Sequence, residues 1–160
     1  MRVDVTFGGA PPAAEIAGRL VVMIDVLRAS TSITTALAND ARAVVPVETP
    51  DDVVMRSKAF ERRDVRLAGE RRLNRIEGFD LGNSPLEFTR EAVEGKTILM
   101  TTTNGTPAIT TMQGARDVII GSYVNYTAVL TMLRAALRGG TDITIACAGR
   151  DRQFALEDAG

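Results

Sequence analysis

A chain of 160 residues with 45% hydrophobic content is long enough to bury a substantial core as one domain, and its net charge of −1 excludes a basic nucleic-acid footprint. It has no histidine, which removes imidazole acid–base chemistry and His-ligated zinc; any metal must take oxygen ligands, which points to magnesium or manganese. Cys147 is the single cysteine, so no intrachain disulfide forms; with no apolar run of membrane-span length and no signal-peptide pattern, a cytoplasmic address without membrane partners is expected.

Residues 1–7 alternate and predict a first strand, followed by the loop Gly8-Gly9-Ala10-Pro11-Pro12. Residues 19–26 read as a buried β-branched strand and about 31–39 as a helix. A third strand is predicted at 43–47, near a sheet edge or stopping early because Pro46 cannot donate to a ladder. Thr49-Pro50-Asp51-Asp52 combines a cap, a first-position proline and first-turn acids, and starts a helix running towards Arg62. A short strand follows at 65–68. The polar, glycine-punctuated stretch 69–85 reads as a functional loop, with Asn83 or Ser84 capping a helix that begins at Pro85. Strands are predicted at 95–100, 117–120 and 142–147, and an amphipathic helix at 125–138 is stopped by Gly139-Gly140. This alternation predicts a single α/β domain over 1–160, a layered fold with a largely parallel or mixed β-sheet flanked by helices. The last residues, 154–160, read as an acidic helix just starting, so a chain truncated at its C-terminal end is expected.

Three strands end in chemically rich segments. Val22–Ile24 leads into Asp25-Val26-Leu27-Arg28-Ala29-Ser30-Thr31, Ile98–Met100 into Thr101-Thr102-Thr103-Asn104-Gly105-Thr106-Pro107, and Ile143–Ala146 into Cys147-Ala148-Gly149-Arg150-Asp151. In a parallel sheet these ends converge on one edge, where open α/β sheets bind ligands. The threonines and Asn-Gly are the ingredients of an anion cradle, with Gly105 in a special conformation or without room for a Cβ. The plain alternative is a strand–turn–helix corner with Asp25 as a cap, Arg28 solvated and an ordinary Asn-Gly turn. Known phosphate-handling signatures do not match. Asp25 is followed two places on by Leu27, not Asp; the sixth residue after Cys147 is Gln153, and Arg150 and Arg152 fall at other spacings; Gly105 precedes no Lys-Ser or Lys-Thr; no Gly-x-Gly-x-x-Gly follows a strand. Cys147 therefore reads as buried structure rather than nucleophile. Of the 19 cations only Lys58 and Lys96 are lysines, and arginine suits bidentate recognition of phosphate or sulfonate.

Six blocks, in order, carry a resemblance: IDVLRAST (24–31), GER (69–71), GFDLGNSP (78–85), TTNGT (102–106), CAGR (147–150) and FALED (154–158). Together they resemble the magnesium-dependent 2-phosphosulfolactate phosphatases of coenzyme M biosynthesis, whose members continue well beyond the last block. The resemblance implies hydrolysis of a phosphate monoester to sulfolactate and phosphate. It places Asp25, Arg28, Glu70, Arg71 and Arg150 in catalysis, with Arg28, Arg71 and Arg150 facing the crevice. Ser30, Thr31, Asn83, Ser84, Thr102, Thr103, Asn104 and Gly105 are the expected substrate-binding residues. With no histidine, Mg2+ is expected on carboxylates and water, with Asp25, Glu157 and Asp158 as ligands. The alternatives are a phosphatase for a different small anionic phosphoester and a non-catalytic anion-binding α/β domain; homo-oligomerisation is left open.

Overall fold

In the computed structural model, which describes residues 1–8, 11–151 and 153–160, the strands divide between two four-stranded sheets. Gly9 and Ala10 of the first loop, and Arg152, lie outside the described residues. In the first sheet β1 (Val3–Phe7), β8 (Ile143–Cys147), β2 (Leu20–Ile24) and β7 (Asp117–Gly121) lie side by side in that order, all parallel. In the second, β3 (Ala43–Pro46), β6 (Thr97–Thr101) and β4 (Val65–Arg71) are parallel, and β5 (Asn74–Arg75) turns back antiparallel on β4. Pro46 sits on an edge strand, where its missing N–H costs no ladder bond.

Two helices fill the space between the sheets. α2 (Ala29–Ala38) packs Ala29, Ile33 and Ala36 against Ala68, Ile98 and Met100 of the second sheet, with Ile120 of the first alongside. α5 (Gly105–Thr110) sets Ala108 against Val21, Met23 and Ala146 of the first sheet. Successive strand residues face opposite sides. Leu99 therefore points away from α2, into a cluster with Val53 of α3 (Pro50–Ser57). Burial of β6 on both faces, at about 1.5–3 kcal/mol for each large apolar side chain, makes it the spine of the second sheet.

The amphipathic α6 (Tyr126–Arg138) lies on the outer face of the first sheet, with Val129 buried. A helix about 10 Å wide covers roughly two strands spaced about 4.8 Å apart. Val3, Val5 and Phe7 of β1 accordingly stay about half exposed, and Phe7 packs on Phe154 with ring centroids 5.4 Å apart. Three short helices complete the described residues: α1 (Ala13–Ile16), α4 (Arg90–Val93) and α7 (Leu156–Ala159). Among the described residues no helix is long and apolar enough to cross a membrane.

The layered, largely parallel α/β architecture is as expected, but several local readings change. Thr49 does cap α3, accepting from the Asp52 amide, yet the helix ends at Ser57 and only a 3-10 turn follows at Arg62–Asp64. Pro85 opens a 3-10 turn, Pro85–Glu87, and neither Asn83 nor Ser84 caps it through its side chain. Part of the stretch read as a loop is strand: β4 runs on to Arg71 and closes a hairpin with β5.

Candidate active site

The carboxyl ends of β2, β4, β6 and β8 surround a cleft of about 280 Å3. The three chemically rich strand ends do converge, but across two sheets rather than along one edge. Asp25, Arg28, Glu70, Asn83, Thr102, Thr103, Asn104 and Arg150 all line this cleft. Leu27, Arg72, Leu73 and Asp151 line it too and were not among the expected residues.

Asp25 is the most constrained of these groups. It is 6% exposed, and burial pushes its carboxyl up to about 7, with the nearby Asp158 and Glu70 charges adding to the rise and the Ala29 and Arg28 amides opposing it. Among the described residues no cation pairs with it directly. Ser30 braces Asp25 from behind. Its hydroxyl accepts from the Asp25 amide at 2.9 Å, while its own amide donates to the Asp25 carbonyl at 2.9 Å. Thr31 turns its hydroxyl back to the Val26 carbonyl at 2.7 Å. The structure thus places Ser30 and Thr31 as supports of the strand–helix corner, not in the cleft.

Ser32 of α2 donates to the Asn83 carbonyl at 2.9 Å and pins that loop to the helix. Asn83 is buried, and its Oδ1 has no hydrogen-bond partner among the described residues. A buried carbonyl oxygen without a donor is costly unless something else completes it. Ser84, next in sequence, does not line the cleft.

Strand alternation separates Glu70 from Arg71. Glu70 shares the inner face of β4 with Ala68, whereas Arg71 faces outward, where its guanidinium donates to the Glu48 carbonyl and to Thr101 Oγ1 at 3.1 and 2.9 Å. The expectation that Arg71 faces the crevice is corrected on this ground. Arg72, at the hairpin turn, lines the cleft instead. Among the described residues Arg28, Arg72 and Arg150 form no ion pair, so three arginines line the cleft without a carboxylate in direct contact, although Asp25, Glu70 and Asp151 line it too. Arg28→Ala is expected to weaken binding of inorganic phosphate by about 1.5–3 kcal/mol, the range for a charge-assisted hydrogen bond. Arg71→Ala is expected to leave it unchanged; titration calorimetry on both variants checks the pair.

The threonine loop is more self-contained than a cradle. The Thr102 amide donates to Thr106 Oγ1 at 2.7 Å and the Thr106 amide to Thr102 Oγ1 at 3.0 Å, a reciprocal cap on α5. The Thr103 amide donates to Glu70 Oε1 at 2.7 Å, and Asn104 Oδ1 accepts from the Asp151 amide at 3.2 Å. Asn104 has an ordinary right-handed backbone, so of the two expectations for Gly105 it is the lack of room for a Cβ that applies. Gly105 is required for space: a Cβ there would lie 2.4 Å from Ala29 Cβ and 2.5 Å from Asp25 Oδ2.

The expected carboxylate trio is not assembled. Asp158 is buried but committed: Oδ1 accepts from the Val26 amide at 2.8 Å and Oδ2 from the Gly149 amide at 2.9 Å, tying α7 to the ends of β2 and β8. Burial raises its pKa against the pull of those two amides. Glu157 is exposed and lines a separate apolar groove under α6. Among the described residues no three Asp, Glu, Cys or His side chains are grouped to hold a metal. Cys147 is buried, its thiol donates to the Asp158 carbonyl at 3.1 Å, and burial pushes its pKa up to about 11, which fits structure and not nucleophilic attack. Asp158→Ala strands two amides at about 1–3 kcal/mol each. A lowered melting temperature with faster amide exchange at Val26 and Gly149 is the expected result.

The chain is similar to proteins of one named family. The family model described as 2-phosphosulpholactate phosphatase matches residues 9–160. The chain belongs to this family. A relative from Symbiobacterium thermophilum, named as a probable 2-phosphosulfolactate phosphatase, is 49% identical over 148 residues, covering 92% of this chain and 62% of the relative. One from Caldanaerobacter subterraneus subsp. tengcongensis with the same name is 47% identical over 138 residues, 86% of this chain and 56% of its own length. A third, from Clostridium botulinum strain Eklund 17B, again so named, is 41% identical over 159 residues, 99% and 66%. The chain thus spans between 56% and 66% of the length of these curated relatives.

Proposed function

We propose that the cleft at the ends of β2, β4, β6 and β8 is the site of a magnesium-dependent phosphatase acting on 2-phosphosulfolactate, a small ester with phosphate, sulfonate and carboxylate groups. The observation that carries this reading is the buried Asp25 carboxyl, which pairs with no cation among the described residues, in one small cleft lined also by Arg28, Arg72 and Arg150. Family membership and the names of the relatives support it.

The donor set fits Mg2+. Asp25 offers a carboxylate and Asn83 an Oδ1 that has no partner among the described residues, both oxygen, and no histidine or cysteine among those residues lines the cleft. Mg2+ is commonly held by one or two carboxylates together with waters and substrate phosphate. When bound, the ion would neutralise phosphoryl charge and help position the ester. The arginines bind the non-reacting anionic groups and orient the ester, and arginine matches phosphate and sulfonate oxygens better than lysine does. Asp25, with a pKa near 7, is able to take or hold a proton at its carboxyl oxygen at neutral pH when no cation screens it.

Phosphate release from 2-phosphosulfolactate, measured with Mg2+ and with EDTA, tests the reading. Turnover with Mg2+ and its loss in EDTA is the expected result. Phosphate binding without turnover under either condition would instead mean an anion-binding domain.

A further inference from the structure

We infer that Glu70 is a positioning residue: its buried carboxylate locks the β4–β5 hairpin turn to the loop after β6 and thereby sets where Arg72 and Arg28 stand in the cleft. The inference rests on the reading of this cleft as a phosphoester site. Glu70 is 5% exposed, and each oxygen has one main-chain donor. Oε2 accepts from the Leu73 amide at 2.9 Å and Oε1 from the Thr103 amide at 2.7 Å. The first donor belongs to the hairpin turn and the second to the β6–α5 loop, so one side chain joins two walls of the cleft.

The turn needs that tie. Arg72 and Leu73 have φ of 52° and 69°, the left-handed region, which a non-glycine side chain disfavours. The hairpin beyond it consists of two residue pairs, Glu70 with Arg75 and Arg71 with Asn74, too little to hold a strained turn alone. Leu73 is 70% exposed, so packing does not hold it. Its amide is fixed by Glu70, and its carbonyl is approached by the Arg28 guanidinium at 3.5 Å. One residue of the turn thus links Glu70 to Arg28, while the preceding residue is Arg72 itself.

The geometry also explains the choice of side chain. Just before it, Gly69 has φ of 155°, a conformation in which a Cβ would lie 2.1 Å from the Thr101 carbonyl oxygen, so only glycine lets β4 carry Glu70 past β6 towards Thr103. Two N–H donors demand an acceptor on both arms of the side chain. A carboxylate supplies two; glutamine supplies one and turns an NH2 on the other amide; aspartate is one methylene too short to span both walls. With each oxygen held by an amide, Glu70 acts through the residues it places.

The test compares E70Q with the unaltered chain in three measurements: amide exchange at Leu73 and Thr103, affinity for inorganic phosphate, and affinity for Mg2+. Faster exchange at one or both amides, phosphate binding weakened by about 10- to 100-fold and Mg2+ affinity within twofold of the original are expected, the range being that of one lost charge-assisted hydrogen bond between a misplaced arginine and the anion. With 2-phosphosulfolactate as substrate, KM rises more than kcat falls. Unchanged exchange, unchanged phosphate affinity, or a loss of Mg2+ affinity with exchange unaltered would each overturn the positioning role. An unaltered chain that binds phosphate but never hydrolyses the ester would overturn the phosphatase reading alone, since the exchange and phosphate arms still decide the role of Glu70. If E70Q does not fold, the comparison moves to a Leu73→Gly background, where glycine removes the left-handed strain. There E70Q folds and shows the same loss of Thr103 protection and phosphate affinity relative to Leu73→Gly, and the absence of that loss would overturn the inference.

Discussion

Asp25→Asn should lower Mg2+-dependent phosphate release by about a thousandfold, the scale for removing a group that acts on reacting atoms. The same substitution should stabilise the metal-free chain at alkaline pH. The Asp25 carboxyl has a folded-state pKa of about 7 against an ordinary value of 3.8, chiefly because burial disfavours its charge. The native state therefore holds this proton more tightly than the unfolded state, and stability falls as pH rises from about 4 to about 7. At about 1.4 kcal/mol per pH unit, the fall attributable to Asp25 is up to about 4 kcal/mol. Asparagine carries no charge to bury, so its advantage should be small at pH 4.5 and full at pH 8. Melting curves of both proteins in EDTA at the two pH values check the sign. An advantage of equal size at both would show that burial of the charge is not what destabilises the parent.

Gly105→Ala is the second change with a large expected effect. Carbon atoms pack at about 3.5–4.0 Å, and the new methyl would stand 2.4 Å from Ala29 Cβ and 2.5 Å from Asp25 Oδ2. The Ala29 methyl cannot swing aside, and the Asp25 carboxylate is buried and held by the Ala29 and Arg28 amides. Ala29 is the fully buried first residue of α2, and Asp25 follows directly on β2. α5 must back away from α2, at a cost of about 1–3 kcal/mol for overpacking. A displacement of about 1 Å at Asp25 is enough to reduce turnover by about a hundredfold. Adding Ala29→Gly removes one of the two collisions. It should recover part of the stability lost by Gly105→Ala, more than additivity allows, while turnover stays low because the contact with Asp25 remains. Full recovery of turnover in the double variant would mean that Asp25 is not displaced.

Much of the candidate site was readable because its signals are local. A buried β-branched run that breaks into Asp25 and Arg28 marks the carboxyl end of a strand wherever that strand pairs, and the Thr-rich and Cys-Ala-Gly-Arg ends are of the same kind. The total lack of histidine restricted the chemistry without any structure. The hairpin turn at Arg72 and Leu73 gave no signal, since it lacks the glycine or asparagine that usually marks two left-handed residues.

What the sequence determined by itself was the order of the seven longer strands and of the helices after β2, β3 and β7, an edge or early stop at Pro46, the blocks around Asp25, Glu70, Asn83 and Asn104, and the resemblance to the family. Tertiary structure alone decided that the strands form two sheets, because pairing partners are chosen between segments far apart in the chain. It also decided that Glu70 turns to the cleft and Arg71 away from it. That depends on which face of β4 meets α2, and period-two alternation sends adjacent side chains to opposite faces. Asp158 shows the same limit: its two amide donors come from the ends of β2 and β8, 132 and 9 residues away, and only their parallel pairing brings them to one carboxylate.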